Sequence, residues 1–228
     1  MTGTKRERTA ARIREVAFEA LRTDGWRDTT MRGIAERAGV APGTIYTSMP
    51  SKEHLLVALY DEAVARIDER ATPLLEGVRP FAARMRVVLG AMLDEIGPYH
   101  RVATETLGQA ISIDAPTSPF GPASAPARER MTALLTRVVE DSDLVADRQL
   151  RAALPELLWT LVMAGMLAWA SDRSTDQRRS RALVDQAVPM LDRALRITAV
   201  PLLRSQVRDL LALAEAAREL ADPDEERP

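Results

Sequence analysis

The chain has 228 residues, of which 46% are hydrophobic, 28% charged and only 4% aromatic. This is ordinary usage for a globular protein with enough apolar material for a core, and the length suits about one or two domains. Because cysteine is absent, disulfide frameworks, thiol nucleophiles and thiolate metal sites are excluded. No sustained β-branched alternation occurs, so we expect an all-α protein.

The net charge of −2 conceals an uneven distribution along the chain. Residues 1–53 contain 10 Lys or Arg and 7 Asp or Glu, whereas residues 54–228 contain 21 and 26. A short basic head and a larger acidic body indicate two tasks in one chain. We therefore predict two domains with these bounds, joined by a helix over residues 51–71.

Ten helices are predicted, each from an apolar repeat of helical spacing bounded by glycine, proline or a capping hydroxyl. They span residues 8–24, 31–38, 42–49, 51–71, 80–96, 98–113, 127–141, 146–171, 177–197 and 201–221. Gly25 and Gly39 stand in helix-stop positions, Pro50 ends the third helix, and Pro189 is expected to kink or break the ninth. The stretch "DAPTSPFGPASAP", residues 114–126, contains four prolines and is predicted to be a loop.

The start of the chain is an amphipathic repeat, unlike the continuous apolar segment of a signal peptide. The longest uncharged run, residues 157–171, has 15 residues, fewer than the roughly 20 that a membrane-spanning helix needs. We therefore expect a cytoplasmic protein that has no membrane partner.

The second and third predicted helices are short and are joined by a glycine-containing turn, which is the sequence form of a helix-turn-helix. A short helix presented in this way fits the DNA major groove and offers its N-terminal residues to base edges. The stretch "TTMRGIAERAGVAPGTIYTSMPSKEHLL", residues 29–56, resembles the DNA-binding signature of the TetR (tetracycline repressor) family. In addition, "AWASDRSTDQRRSRALVDQAV", residues 168–188, is similar to C-terminal helices of actinobacterial members.

This resemblance implies an all-α chain with an N-terminal three-helix helix-turn-helix DNA-binding domain and a larger C-terminal helical domain for ligand binding and dimerisation. The function it implies is that of a ligand-responsive repressor. Its partners would be double-stranded DNA, a second copy of the chain and a small-molecule effector.

The motif divides its residues into a core and an exposed reading surface. The expected core residues are Ile34, Ala35, Ala38, Val40 and Ile45. The expected DNA-contacting residues are Thr30, Arg32, Ala41, Pro42, Gly43, Thr44, Tyr46, Thr47, Ser48 and Lys52. Lys52 begins the fourth helix, where its ammonium and the free N–H groups suit a phosphate. Taken alone, Tyr46 is as readily a packed surface aromatic.

Three positions depart from the family's pattern. Ser48 and Met49 replace the usual His or Tyr followed by Phe, and Ala41 replaces a capping Ser or Thr, which costs roughly 1 kcal/mol. We expect Met49 to fill the core as a flexible apolar side chain. Ser48 shortens a usual phosphate contact and so weakens DNA binding or shifts the contact elsewhere.

The helix over residues 146–171 is apolar all round and needs cover on several sides. In the family, two late helices pair with their copies as a four-helix bundle, and the two reading helices lie about 34 Å apart on a palindromic operator. The expected interface residues are Leu158, Val162, Gly165, Trp169, Leu183, Ala187 and Met190. The alternative is burial within the monomer by residues 201–221.

The resemblance also implies a ligand pocket in the acidic body, whose occupation changes the separation of the two heads. The candidate lining residues are Met85, Met92, Tyr99, His100, Glu105, Gln109, Trp159, Met163 and Met166, with Trp169 possible at both sites. Methionines suit an adaptable site for an apolar ligand. For each residue the alternative is an ordinary place in the core.

Other functions explain the sequence less well. An enzyme would rely on carboxylates such as Asp94 and Glu105, but Gly97-Pro98 breaks the helix that would align them, and no phosphate loop is present. With only two histidines, a metal site is disfavoured, and we expect no cofactor. A helical protein-binding adaptor would explain residues 78–221 without explaining the basic head.

Overall fold

The computed structural model describes residues 4–111, 115 and 117–198, except for the side chains of residues 108–111 and 198. These residues form nine α-helices with short 3₁₀ turns between them, and the described chain contains no strand. The helices are α1 (Lys5–Asp28), α2 (Met31–Ala38), α3 (Pro42–Ser48), α4 (Lys52–Leu75), α5 (Phe81–Ile96), α6 (His100–Ile111), α7 (Ala125–Glu140), α8 (Arg148–Ala170) and α9 (Arg178–Thr198). The predicted all-α class is confirmed.

Helix ends differ from the predicted ones where proline or glycine is tolerated inside a helix. Gly25 leaves helical geometry at φ 79°, as the stop position predicts, but a further turn continues α1 to Asp28. α4 passes through Pro73, and α9 runs unbroken through Pro189, so a break there is wrong. Because proline removes only one backbone hydrogen bond, packing of the neighbouring Val188 offsets the loss. The predicted helix at 201–221 lies outside the described residues.

The first core, here called the N-terminal core, lies among α1, α2, α3 and the start of α4. It consists of Ile13, Ala17, Phe18, Ala20, Leu21, Trp26, Ile34, Ala35, Ala38, Ile45, Met49, Leu55, Leu56, Leu59 and Val102. Val102 comes from α6, so the helix-turn-helix unit is packed directly against the following helices. The predicted domain boundary at residue 53 therefore falls inside a continuous packing arrangement, and it stays a prediction.

The second core, the C-terminal core, is formed by the later part of α4 with α5, α7, α8 and α9. Its fully buried side chains include Ile67, Phe81, Leu134, Leu135 and Leu158. Since α4 contributes Leu55 to one core and Ile67 to the other, it is shared by both.

Arg84 is buried in the C-terminal core with only 3% of its surface exposed. Its guanidinium donates to the carbonyls of Leu75, Val78, Arg137 and Val138 at 2.7 to 3.1 Å. Carbonyls near the end of a helix lack partners within that helix. Arg84 therefore ties the end of α4 to the end of α7.

By length and composition alone, α8 is apolar enough to cross a membrane. Core helices of soluble proteins meet the same criterion, and α8 packs against α6 and α7. Leu154, Leu158 and Trp169 are buried in these contacts. Its opposite face is exposed and apolar, which bears on subunit association below.

Candidate DNA-binding surface and ligand cavity

The turn between α2 and α3 is fixed by local hydrogen bonds. Thr30 Oγ1 caps α2 by accepting from the Gly33 N–H at 3.1 Å. Gly39 ends α2 in the left-handed region at φ 64°, and the Val40 N–H then donates to the Ala35 carbonyl at 3.0 Å. A glycine adopts this conformation at little cost. The two short helices are therefore held at a defined angle.

The predicted core of the motif is confirmed. Ile34, Ala35, Ala38 and Ile45 are at most 1% exposed, and Met49 is 5% exposed, so the unusual methionine does fill the core. Val40 is partly buried and packs against the same cluster. As expected, Ala41 supplies no side-chain cap to α3.

The predicted DNA-contacting residues belong to α3, the turn before it and the starts of α2 and α4, and most of them are exposed. Thr44 is half-buried, and the exposed members are Thr30, Arg32, Ala41, Pro42, Gly43, Tyr46, Thr47 and Ser48. Tyr46 is 52% exposed, so the core does not require its ring. A short, exposed helix such as α3 suits the DNA major groove, and contact with DNA stays a prediction.

Lys52 does not extend into solvent from the start of α4. Its ammonium donates to the carbonyl of Trp26 and lies 4.4 Å from the centroid of the Trp26 ring. Burial lowers the pKa of Lys52. A phosphate contact would have to replace or share this bond, so the observed contacts of Lys52 are structural and its phosphate contact stays a prediction.

The last turn of α1 is joined to α6 by two charged side chains. Glu105 accepts from the Arg27 N–H at 2.9 Å and from Arg101 Nε at 3.0 Å. Arg101 also donates to Asp28 at 2.7 Å. Burial alone would raise the pKa of Glu105, but the Arg27 N–H and the Arg101 guanidinium hold it below its usual value. This cluster connects the helix-turn-helix unit to α6.

An apolar cavity of about 530 Å³ lies between α4, α5, α6, α7 and α8. Five predicted residues line it, namely Met92, Tyr99, Trp159, Met163 and Met166, and Trp169 lines it as well. Volume and lining are those of a small-molecule site.

Three predicted pocket residues lie elsewhere and are corrected. Met85 is 2% exposed within the C-terminal core, where its helical spacing placed it among apolar neighbours. His100 Nε2 lies 2.9 Å from the Trp169 carbonyl, and Glu105 faces the end of α1. The side chain of Gln109 lies outside the described residues.

Several residues that the sequence did not indicate also line the cavity. Tyr60 and Thr106 come from α4 and α6, while Phe120, Ser124 and Arg128 come from the predicted loop and the start of α7. Burial raises the pKa of Tyr60 to about 12, so its phenol is neutral at physiological pH. Tyr60 follows Leu56 by four residues on α4, and Thr106 follows Val102 by four residues on α6, so helical spacing could have indicated both. The loop residues have no such periodic pattern.

Within the described residues, two buried polar atoms have no hydrogen-bond partner, and both belong to residues that line this cavity. They are Ser124 Oγ and Trp169 Nε1. Buried polar groups are nearly always paired. Both atoms are fully enclosed in the cavity wall and do not face the cavity itself.

The predicted dimer interface divides into buried and exposed members. Leu158, Val162 and Trp169 are at most 5% exposed inside the subunit, so their assignment to an interface is corrected: they fill the core and the cavity wall. The predicted members that remain exposed are Gly165, Leu183, Ala187 and Met190, and Leu161 and Leu167 of α8 are exposed as well. We refer to these six exposed residues of the two helices as the α8–α9 face.

A second, wider cleft of about 960 Å³ lies between α1, α4 and α5 and is lined by many charged residues. Four of its five arginines already form ion pairs with carboxylates, namely Arg22, Arg37, Arg66 and Arg70. Exposed ion pairs of this kind are common surface features. The apolar cavity is therefore the better candidate for a ligand.

A helix-turn-helix packed on a helical body that encloses an apolar cavity defines the class of one-component DNA-binding regulators. Residues 13–59 match the family described as "Bacterial regulatory proteins, tetR family". Residues 84–213 match "Tetracyclin repressor-like, C-terminal domain". The chain belongs to the TetR family, and it is a DNA-binding transcriptional regulator and not an enzyme.

Similar proteins include the HTH-type transcriptional repressor KstR of Mycolicibacterium smegmatis, 29% identical over 79% of this chain and 85% of the relative. KstR of Rhodococcus jostii is 29% identical over 72% and 74%. These relatives agree with the predicted likeness to actinobacterial members.

Among solved structures, the fatty acid degradation regulator FadR from Bacillus halodurans has a TM-score of 0.59 at 17% identity, covering 84% of this chain and 97% of that one. FadR from Bacillus subtilis, in complex with stearoyl-CoA, has a TM-score of 0.54 at 18% identity, covering 78% and 97%. At these low identities, the two similarities show a shared fold and nothing further.

Proposed function

We propose that the protein is a cytoplasmic, dimeric repressor that leaves a palindromic operator when a small, mostly hydrophobic molecule enters the apolar cavity. One observation carries this proposal: the cavity is walled by α4 and α6, the two helices that also hold the helix-turn-helix unit. The relatives named KstR are repressors, and one structural neighbour was solved with stearoyl-CoA.

α4 provides the first route from the cavity to the DNA-binding surface. Leu56 and Leu59 belong to the N-terminal core and also line the cavity, and Tyr60 lies one residue further on. Because the same side chains contact both, an effector that displaces α4 also shifts the helix-turn-helix unit. Packed cores respond to such displacement by moving as units.

α6 provides the second route. Thr106 and Leu107 line the cavity, and Glu105 on the same helix binds the backbone of Arg27 at the end of α1. A rotation or shift of α6 therefore acts on α1 directly. In a dimer, equal shifts in both subunits change the distance between the two reading helices, which must match one turn of DNA, about 34 Å.

The proposed dimer uses the α8–α9 face. Leu161, Leu183 and Met190 are between 50% and 62% exposed, and Gly165 leaves open space beside α8, where a second helix could approach closely. Large apolar side chains exposed on a helix mark a candidate interaction site. A second copy covers it symmetrically, in the manner of a four-helix bundle.

Binding of the purified protein to DNA from its own upstream region tests this function, at low and at physiological salt. We expect specific, salt-sensitive binding, since phosphate contacts release counterions. A Tyr46→Ala/Thr47→Ala variant should bind roughly tenfold or more weakly with unchanged thermal stability, because both side chains are exposed.

A matched control is Val145→Ala, which trims another exposed apolar side chain, 70% exposed and far along the chain from α3. It should bind DNA like the wild type. If neither upstream DNA nor random-sequence selection yields binding at either salt, the regulator function fails and a protein-binding adaptor becomes the better reading.

A further inference from the structure

The last turn of α1, residues 25–28, takes hydrogen-bond donors from outside the helix. The last four carbonyls of a helix have no donor within that helix. In α1 the Gly25 carbonyl accepts from Thr29 Oγ1 at 2.6 Å, and the Trp26 carbonyl accepts from the ammonium of Lys52. Thr29 follows directly in the sequence, whereas Lys52 is 26 positions from Trp26 and begins α4. The Lys52 contact therefore joins α4 to the end of α1.

Lys52 is held at Trp26 by more than this hydrogen bond. Its Nζ lies 4.4 Å from the centroid of the Trp26 ring, which is within the range of a cation–π interaction. Trp26 is 8% exposed and belongs to the N-terminal core, so the ammonium rests on a side chain that is itself fixed by packing. Release of Lys52 would remove the donor from the Trp26 carbonyl and the cation from the ring.

Glu105 of α6 holds the neighbouring peptide of the same turn. Its carboxylate accepts from the Arg27 N–H at 2.9 Å. Lys52 thus binds a carbonyl of the turn from α4, and Glu105 binds an N–H of the turn from α6. Both of these helices also wall the apolar cavity. Two adjacent residues of α1, Trp26 and Arg27, are therefore attached to two different helices of the cavity wall.

We propose that Lys52 is a positioning residue for DNA binding: with Glu105 it clamps the last turn of α1 and so fixes the orientation of the helix-turn-helix unit on α4 and α6. With one attachment alone, the turn could pivot about the other. Because α1 packs on α2 and α3, the orientation of its last turn determines that of α3. This role is separate from the phosphate contact predicted for Lys52, and its effect on DNA rests on the proposed function.

Amide hydrogen exchange of the full chain tests the clamp in the absence of DNA. Lys52→Met keeps an unbranched side chain and removes the ammonium. The Arg27 amide should then exchange about tenfold faster or more relative to the amide of Leu21, a fully buried residue of the same helix. A general loss of stability would instead accelerate both amides. Arg32→Met, which removes an exposed cation at the start of α2, is the matched control and should leave this ratio unchanged.

Tolerance of half-site spacing tests the effect of the clamp on DNA binding. One base pair inserted between the half-sites of the operator moves them apart by about 3.4 Å and rotates them by about 35°. Wild type, with its reading helices held in place, should prefer the native spacing. Lys52→Met should bind the native operator more weakly and show this preference reduced several-fold. Loss of a phosphate contact weakens binding to both DNAs alike, so Arg32→Met should keep the wild-type preference.

Two results would overturn the inference. One is an Arg27 amide in Lys52→Met that exchanges as in the wild type relative to Leu21; the other is an undiminished preference for the native spacing in that variant. If Lys52→Met does not fold, Lys52→Gln, which shortens the side chain and removes the charge, gives the same two comparisons. Failure of the wild type to bind any DNA would refute the proposed function, and the exchange measurement would still decide whether Lys52 holds the turn.

Discussion

Glu105 Oε2 accepts a hydrogen bond from the backbone N–H of Arg27 at 2.9 Å, although the two residues are 78 positions apart in sequence. Glu105 belongs to α6, a wall of the cavity, and Arg27 belongs to the last turn of α1, a helix of the N-terminal core. The carboxylate side chain is only 12% exposed. The contact is therefore a specific link between the cavity and the helix-turn-helix unit.

We expect Glu105→Ala to lower the free energy of unfolding by about 1 to 2 kcal/mol, because the charge-assisted hydrogen bond to the Arg27 N–H is lost. It should also reduce by several-fold the change in DNA affinity that an effector produces. Chemical denaturation and DNA titration with and without effector measure the two effects. Glu105→Gln retains an acceptor oxygen for Arg27 and should lose less of both; equal effects of the two variants would contradict the assignment.

Gly25 also permits the close contact between the end of α1 and α6, because it has no side chain there. Its φ is 79°, and a Cβ added there would lie 2.7 Å from Arg101 Nε and 3.0 Å from Glu105 Oε2. We expect Gly25→Ala to cost about 2 to 3 kcal/mol of stability by chemical denaturation. Gly77→Ala is the matched control, since its φ is 72° but nothing lies within 4 Å; it should cost only about 1 kcal/mol.

The two contributions at Gly25 can be separated by adding Arg101→Ala. Removal of the arginine side chain takes away the two nearest atoms and leaves Glu105 Oε2 at 3.0 Å together with the backbone strain. The cost of Gly25→Ala should then fall toward that of Gly77→Ala. A cost that does not change would show that the backbone conformation alone determines it.

Local signals made most of the fold predictable. Thr30 and Gly39 bracket α2 as the sequence predicts, because capping and left-handed glycine are properties of short segments. The break that Pro189 allows does not occur, since whether a helix survives a proline depends on tertiary packing, here of Val188 and Leu195. The predicted stop at Gly25 was correct only in part because the turn after it is held by α6, which is distant in sequence.

The candidate site was less predictable than the fold. Met92, Met163 and Met166 line the cavity as predicted. Met85 is the same residue type at the same helical spacing, but it lies in the core. Helical spacing shows that a residue faces inward, and it does not show whether a neighbour or a void lies opposite. The contribution of Ser124 depends on the path of a loop, which residue patterns do not define.

Association through the α8–α9 face should be sensitive to charge. Leu183 and Met190 are 50% and 62% exposed, and a glutamate at either position would be buried without a partner in a dimer. We expect Leu183→Glu/Met190→Glu to weaken association by about a hundredfold or more, measured by sedimentation equilibrium. Leu74→Glu, at a 60% exposed leucine of α4, should leave association unchanged; a dimer unaffected by the double variant would exclude this face.

Asp172 gives α9 a stability that depends on pH. Its carboxylate accepts from the hydroxyl and N–H of Ser174 at 2.7 and 2.9 Å, and from the hydroxyl and N–H of Ser180 at 2.7 and 2.9 Å. The Ser174 hydroxyl and N–H, followed by those of Ser180, hold the pKa of Asp172 well below its usual value. The folded state therefore favours the ionised carboxylate.

Because the folded-state pKa is depressed, this stabilisation is complete above the pKa of an unfolded aspartate, about 3.9, and is lost as pH falls through the folded-state value. We expect Asp172→Asn to be less stable than the wild type at neutral pH, with the difference in free energy of unfolding shrinking below about pH 4. Denaturant unfolding at several pH values measures this difference. The control Asp185→Asn removes a carboxylate from an exposed position of α9 and should show a much smaller difference in stability. If the stability difference for Asp172→Asn stays constant with pH, the four donors do not stabilise the charge of Asp172.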